Sequence, residues 1–256
     1  MIVETEAVVL HSIHYGDTSK IVTLYSRKYG KIKVVAKGAR NPKTNKFGSS
    51  LEPMTHSSVV LYKKEHRDLH LLSKSEIVTS FSKTQDISEK MFTGLSLIEL
   101  VNMVMHDEEE NELIFVLLVD SLKAIDASTK NRINVLLSFL TKMFSQFGFG
   151  LSLEQCERCG KLSDKEDFSL IFLRLSDGKF ICQHCSEGTT VSGVKVTGGA
   201  LKSLIFLQTN DSERVLTLSL SHAMREDILG LLQSYLRYHV EGSRTLKSLS
   251  LLHTLQ

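Results

Sequence analysis

At 256 residues the chain has room for two or three domains of about 100–200 residues each, and a hydrophobic content of 42% supports packed cores. A formal net charge of only +2 excludes a polyanion-binding signal carried by total charge, so any such signal has to come from local asymmetry. The longest purely apolar run, Leu113 to Val119, is too short to cross a bilayer. Glu4 and Glu6 stand where an export signal carries positive charge, so the expectation is a cytoplasmic protein with no membrane partner and with reduced cysteines.

Residues 1–80 predict β-structure. Five short segments rich in β-branched residues, "TEAVVLHSI", "KIVTLYS", "KIKVVAK", "SSVVLYK" and "LHLLSKSEIV", are separated by Gly16-Asp17, Tyr29-Gly30, the stretch from Pro42 to Pro53 and the charged "KKEHRD". Five strands in about 80 residues suit a small closed barrel of the OB type. In the third segment Ile32, Val34 and Ala36 alternate with Lys31, Lys33, Val35 and Lys37, which puts an apolar face inward and a basic face outward. OB barrels bind oligonucleotides on strands two and three and on the loops between strands one and two and strands four and five. Those loops correspond to "HYGD" and "KKEHRD" here.

From Tyr15 to Lys46 there are nine basic residues and one acid, Asp17. Tyr15, Tyr25, Tyr29, Phe47 and Tyr62 are interleaved with or close to them. Cations for phosphates and rings for bases are what a single strand needs. Lys31, Lys33, Lys37, Arg40, Lys43 and Lys46 are therefore the candidate phosphate contacts, and Tyr25 and Tyr29 are candidate stacking rings or, equally, barrel packing. The plain alternative is a solvated barrel face.

Residues 81–152 predict helices. "SEKMFTGLSLIELVNMVMHD" has apolar residues at helical spacing, "ELIFVLLVDSLKAI" follows, and "NRINVLLSFLTKMFSQFGFG" ends at the stop signals Gly148 and Gly150. The acidic run Asp107 to Glu112 between the first two reads as a solvated loop or helix start. Helices return over 197–240, the last with Ser221 as N-cap.

Residues 153–190 hold all four cysteines, as Cys156-x2-Cys159, 22 intervening residues and Cys182-x2-Cys185. Two facing C-x-x-C turns supply the four thiolates of a closed, structural zinc site. The alternating run "FSLIFLRLSDGKFIC" between them turns at Asp177-Gly178, a hairpin signal. Ligand type alone leaves an iron–sulfur cluster open. A redox pair would need one C-x-x-C beside a βαβ unit. His184, inside the second pair, reads as a solvent-facing bystander.

The fold expected is thus α+β: a five-stranded OB-fold barrel at 1–80, a mainly α-helical domain at 81–152 and 191–245, and a four-cysteine zinc-binding insert at 153–190. Catalysis is not indicated. There is no G-x4-G-K-[S/T] phosphate loop and no H-E-x-x-H. The H-x-E of His106-Asp107-Glu108 lacks the cysteine context of a zinc deaminase.

The opening block resembles the RecO family of bacterial recombination mediators. The likeness rests on the Tyr15-Gly16-Asp17 turn, the Lys37-Gly38-Ala39-Arg40 step and the Leu51-Glu52-Pro53 return, together with the order barrel, helices, cysteine pairs, helices. Many relatives carry a second arginine where this chain has Asn41. The resemblance implies a non-enzymatic protein that binds single- and double-stranded DNA and anneals complementary strands. It further implies partners, namely RecR and the C-terminal tail of single-stranded-DNA-binding protein, and a role in loading RecA onto coated single strands, with no small-molecule substrate. Two other classes stay open on the residues themselves. One is an RNA-binding or ribosome-associated adaptor, which an OB-fold with a zinc unit also suits. The other is a metal-dependent nuclease or hydrolase, against which stands the absence of a carboxylate–histidine constellation beside the basic face.

Overall fold

The computed structural model describes residues 1–41, 43, 46–64, 67–187 and 193–253. Parts of the Pro42 to Pro53 stretch (Pro42, Thr44 and Asn45) and of the "KKEHRD" loop (Glu65 and His66) lie outside the described residues. The chain forms two compact units, Met1–Ala127 with Leu246–Gln256, and Ser128–Thr245.

The first unit begins with five strands, β1 (Ile2–Tyr15), β2 (Ser19–Ser26), β3 (Gly30–Ala36), β4 (His56–Tyr62) and β5 (Leu69–Thr79). They close into a barrel in the order β1-β2-β3-β5-β4. β3 and β5 run parallel, the other neighbours run antiparallel, and β1 pairs with β4 to shut the ring. All five expected segments become strands. Closure leaves no free sheet edge. Alternation fills the interior: Val22 and Leu24 of β2, Ile32, Val34 and Ala36 of β3, and Val59 and Leu61 of β4 are buried together. Each such side chain stabilises the fold by roughly 1.5–3 kcal/mol relative to exposure. Phe47 and Leu51, from the connection between β3 and β4, join the same core.

Three helices follow in this unit, the single-turn α1 (Ser82–Gln85), α2 (Ser88–Val104) and α3 (Glu112–Ala127). The Asp126 carboxylate accepts from the Thr84 amide at 2.8 Å and from its hydroxyl at 2.9 Å, which ties α1 to the end of α3.

The second unit contains α4 (Ile133–Gln146), β6 (Leu170–Leu173), β7 (Phe180–Cys182), α5 (Gln183–Ser186), β8 (Val194–Thr197), α6 (Gly198–Thr209) and α7 (His222–His239). Its strands make a sheet in the order β7-β6-β8. The α4 helix packs against α6 and α7. Its buried Asn134 donates to Val215 O at 3.0 Å and to Leu218 O at 2.7 Å, and so ties α4 to the turn that precedes α7. Ser221 caps α7 by accepting from Met224 N, as its sequence position predicts. Gly148, just after α4, has φ +81°, the left-handed stop expected there.

The last element, α8 (Lys247–His253), belongs to the first unit and packs on α2. The Glu99 carboxylate accepts from the amides of Lys247 and Ser248, both at 3.0 Å. A carboxylate at a helix N-terminus meets both the free amides and the positive end of the dipole. The compact units divide the chain between α3 and α4, so α1 to α3 group with the barrel, while the sequence-based domains are drawn at residue 80. Among the described residues no helix is long and apolar enough to cross a membrane.

Candidate nucleic-acid face and four-thiol metal site

The outer face of β3 has two halves with different surroundings. At its start the segment linking α2 to α3 lies along the strand. Lys31 and Asp107 form a parallel bridge, with Glu108 N donating to Lys31 O at 2.9 Å. Asp107 pairs with Lys31 at 3.3 Å and Lys33 at 3.1 Å. Glu108 pairs with Lys63 at 2.6 Å and lies 3.3 Å from His70. Lys31 Nζ also donates to Asn102 O at 3.1 Å. Partial burial works against the Asp107 carboxylate, but hydrogen bonds from Lys33 and Lys31 outweigh it and hold its carboxyl below the usual range. Lys63 does the same for Glu108. The acidic run is therefore no free loop: its side chains reach solvent, but its backbone is joined to the barrel.

Gly30 makes this approach possible. Its φ is +59°, and a Cβ there would sit 2.0 Å from the Glu109 carbonyl oxygen. Gly30→Ala is expected to destabilise the protein by at least about 2 kcal/mol, since backbone strain and a backbone clash add. A denaturant titration of the full chain checks this, and an unchanged midpoint would mean the linker is not held there.

Of the two readings of Tyr25, the structure shows packing. Strand alternation puts it on the outer face of β2, opposite Lys31, yet it is fully buried. It packs on Phe115 with ring centroids 6.4 Å apart, and its hydroxyl donates to Asn111 O at 3.2 Å. Burial, with Glu109 nearby, pushes its phenol far above the ordinary value. A ring enclosed in this way presents no face to a base. Tyr29 is half-buried against the barrel core, with the Lys63 ammonium 5.7 Å from its centroid.

The far half of β3 is open. Val35 and Lys37 line a cleft with Tyr15 at the end of β1, with Lys64, Arg67 and Asp68 of the β4–β5 connection, and with Leu69 at the start of β5. Lys37, Lys64 and Arg67 are exposed and have no ion-pair partner among the described residues. Tyr15 is 52% exposed. Sequence reasoning placed both loops beside this face and counted Tyr15 among the interleaved rings. It did not single out Lys64 and Arg67, which sit in "KKEHRD". The remaining candidates lie around the neighbouring turn. Arg40 reaches the carbonyls of Gly16 and Asp17, both at 3.5 Å. Lys43 is exposed, and Lys46 lies 5.5 Å from the Phe47 ring centroid.

In the second unit the sulfurs of Cys156, Cys159, Cys182 and Cys185 all lie within 4.8 Å of one another. Two backbone devices bring them together. Gly160, at φ +69°, donates to Cys156 O at 2.9 Å, which closes the first knuckle. The hairpin of β6 and β7 then delivers Cys182 to the start of α5, which carries Cys185. Sulfurs bound to one tetrahedral zinc stand about 3.8 Å apart, and Cys159 and Cys182 are 3.9 Å apart here. Burial raises the Cys156 thiol, but amides of Cys159, Cys182 and Arg158 outweigh it and bring the thiol down to about 6. Hydrogen bonding with Cys159 comes first among the causes that push Cys185 up to about 12. Burial raises Cys182. Four adjacent sulfurs resist common ionisation unless a cation is shared among them. Donor type, spacing and backbone support thus fit a metal ion. His184 is exposed and stands outside the set.

The fold and site together define a two-part α+β protein, with an OB-like barrel and a helical region that carries a four-thiol centre. The chain belongs to the RecO family. Residues 1–81 match the family described as Recombination protein O N terminal, and residues 87–250 match Recombination protein O C terminal. A protein of Chloroherpeton thalassium named DNA repair protein RecO is 32% identical over 259 residues, covering 100% of this chain and 99% of the relative. Proteins of the same name from Salinibacter ruber and from a Nocardioides species are 31% identical (100% of this chain, 95% of the relative) and 32% identical (98% of each).

Proposed function

We propose that the protein is a non-enzymatic recombination mediator. It binds single- and double-stranded DNA, anneals complementary strands, and acts with RecR to load RecA onto single strands coated by single-stranded-DNA-binding protein, whose C-terminal tail it contacts. Its place of work is the cytoplasm. Membership of the RecO family supports this reading, and the observation that carries it is the open cleft in which Lys37, Lys64 and Arg67 flank the exposed Tyr15. Ammonium and guanidinium groups neutralise phosphates, and a ring beside them offers a stacking face. Arg40, Lys43 and Lys46 extend the cationic surface around the adjoining turn. Annealing needs no hydrolysis, only neutralisation of the repulsion between two strands.

Zinc is the metal proposed for Cys156, Cys159, Cys182 and Cys185. A closed tetrathiolate shell leaves no position for a substrate or water, so the ion supplies a cross-link rather than chemistry. The cysteines hold the knuckle and α5 against the hairpin.

The test is annealing of two complementary oligonucleotides precoated with single-stranded-DNA-binding protein, without nucleotide, in the presence and absence of RecR. Acceleration by the full chain is expected. No acceleration with or without RecR, together with preferential binding of structured RNA, would overturn the reading in favour of an RNA adaptor.

A further inference from the structure

The chain carries its own polyanion on part of its basic face. Asp107 and Glu108 occupy Lys31, Lys33 and Lys63, and the groups they occupy lie on the same barrel as the open cations Lys37, Lys64 and Arg67. We propose that the linker between α2 and α3 is a built-in mask that excludes nucleic acid from the first half of β3 and confines it to the cleft at the other half. Asp107 and Glu108 then set the length of strand held and the number of phosphates contacted. This rests on the DNA-binding reading given above.

Solvent-exposed ion pairs are individually weak, so charge alone would let a phosphate chain displace the two carboxylates. The backbone decides against displacement. Glu108 N is bonded to Lys31 O at 2.9 Å, the Glu109 carbonyl sits against Gly30, and Asn111 O takes the buried Tyr25 hydroxyl at 3.2 Å. Phe115, one turn into α3, is fully buried between Tyr25 and His56. The mask is anchored at several points by contacts that a salt change does not weaken. The three lysines are also shielded unevenly: Lys31 and Lys63 keep only 13% and 21% side-chain exposure, while Lys33 keeps 44%.

The experiment uses the full chain and oligothymidylates of increasing length. Asp107→Asn with Glu108→Gln removes the mask's charge and leaves its backbone bonds. Affinity is expected to rise about fivefold or more at low salt, and the log–log salt slope to steepen by about 1.4, as Lys33 and Lys63 each add about 0.7, while Lys31 stays on the Asn102 carbonyl. Glu109→Gln with Glu110→Gln removes the same charge but frees none of those three lysines, so its slope should stay that of the wild type. Equal slopes for the two double variants would overturn the mask. A second measurement needs no variant: amine labelling of the wild type, with and without a 20-nucleotide oligothymidylate, read by mass spectrometry. Protection of Lys37 and Lys64 but not of Lys33 or Lys63 supports the mask. Protection of Lys33 equal to that of Lys37 overturns it alone, because the cleft reading survives. No protection anywhere rejects the cleft reading, and the mask with it.

Discussion

Cys182→Ser is expected to abolish metal binding and to melt the cysteine-bearing sheet. Cys182 closes β7, begins α5 and donates its amide to the Cys156 sulfur at 3.3 Å. The strands involved are short, three residues in β7 and four in β6, and a two-stranded hairpin has little stability of its own. A structural tetrathiolate zinc supplies apparent binding energies of about 10–16 kcal/mol at neutral pH, as much as or more than the roughly 5–15 kcal/mol that holds a whole domain. Metal content should fall from about one ion per chain to near zero. Amide exchange over β6, β7 and the first knuckle should speed up to near the unfolded rate, while β1 to β5 keep their protection. A strong chelator should reproduce the effect on the native protein. Retained protection in a metal-free sample would show that the hairpin stands without the ion. Iron in place of zinc would correct the metal and leave the structural role intact.

Reversing the cleft charge is the second large effect. Lys37→Glu, Lys64→Glu and Arg67→Glu together remove three phosphate contacts and add three repulsive ones. Single-strand affinity at low salt should fall by about 10²- to 10³-fold, and the salt slope should become shallower by about 2. All three residues are exposed, so the fold should be untouched. Tyr15→Ala isolates the ring and should cost about 1–3 kcal/mol if a base stacks there. Binding that survives the triple reversal would move the site away from the cleft.

Much of this was legible in the residues. β-Branched segments between turn residues are a local signal, and they located all five barrel strands, while alternation in the third segment picked out the buried Ile32, Val34 and Ala36. The cysteine spacing and the Asp177-Gly178 turn are local as well, and the hairpin follows them. What stayed hidden depends on distant partners. Asp107 meets Lys33 across 74 positions, and a run of acids carries no mark of which lysines it will reach. Stacking and packing were equal readings of Tyr25, because nothing local says that Phe115 of α3 covers its ring. The β8 strand, which completes the small sheet by pairing with β6, is only four residues long and too short to announce itself. Lys64 and Arg67 were not singled out because nothing local says which charges of their loop line a cleft with Lys37 and Tyr15.

The Glu99 cap on α8 has a consequence for synthesis. The first unit is interrupted in sequence: it starts at the N-terminus and is completed by a helix made after every residue of the second unit. Chains emerge at about 5–20 residues per second, so the 118 residues from Ser128 to Thr245 impose a wait of some 6–24 seconds. During that time the barrel and α2 stand with the groove for α8 unfilled. The second unit, continuous in sequence, is free to fold inside this interval. The order of maturation is then the reverse of the order of reading: the part begun first is finished last.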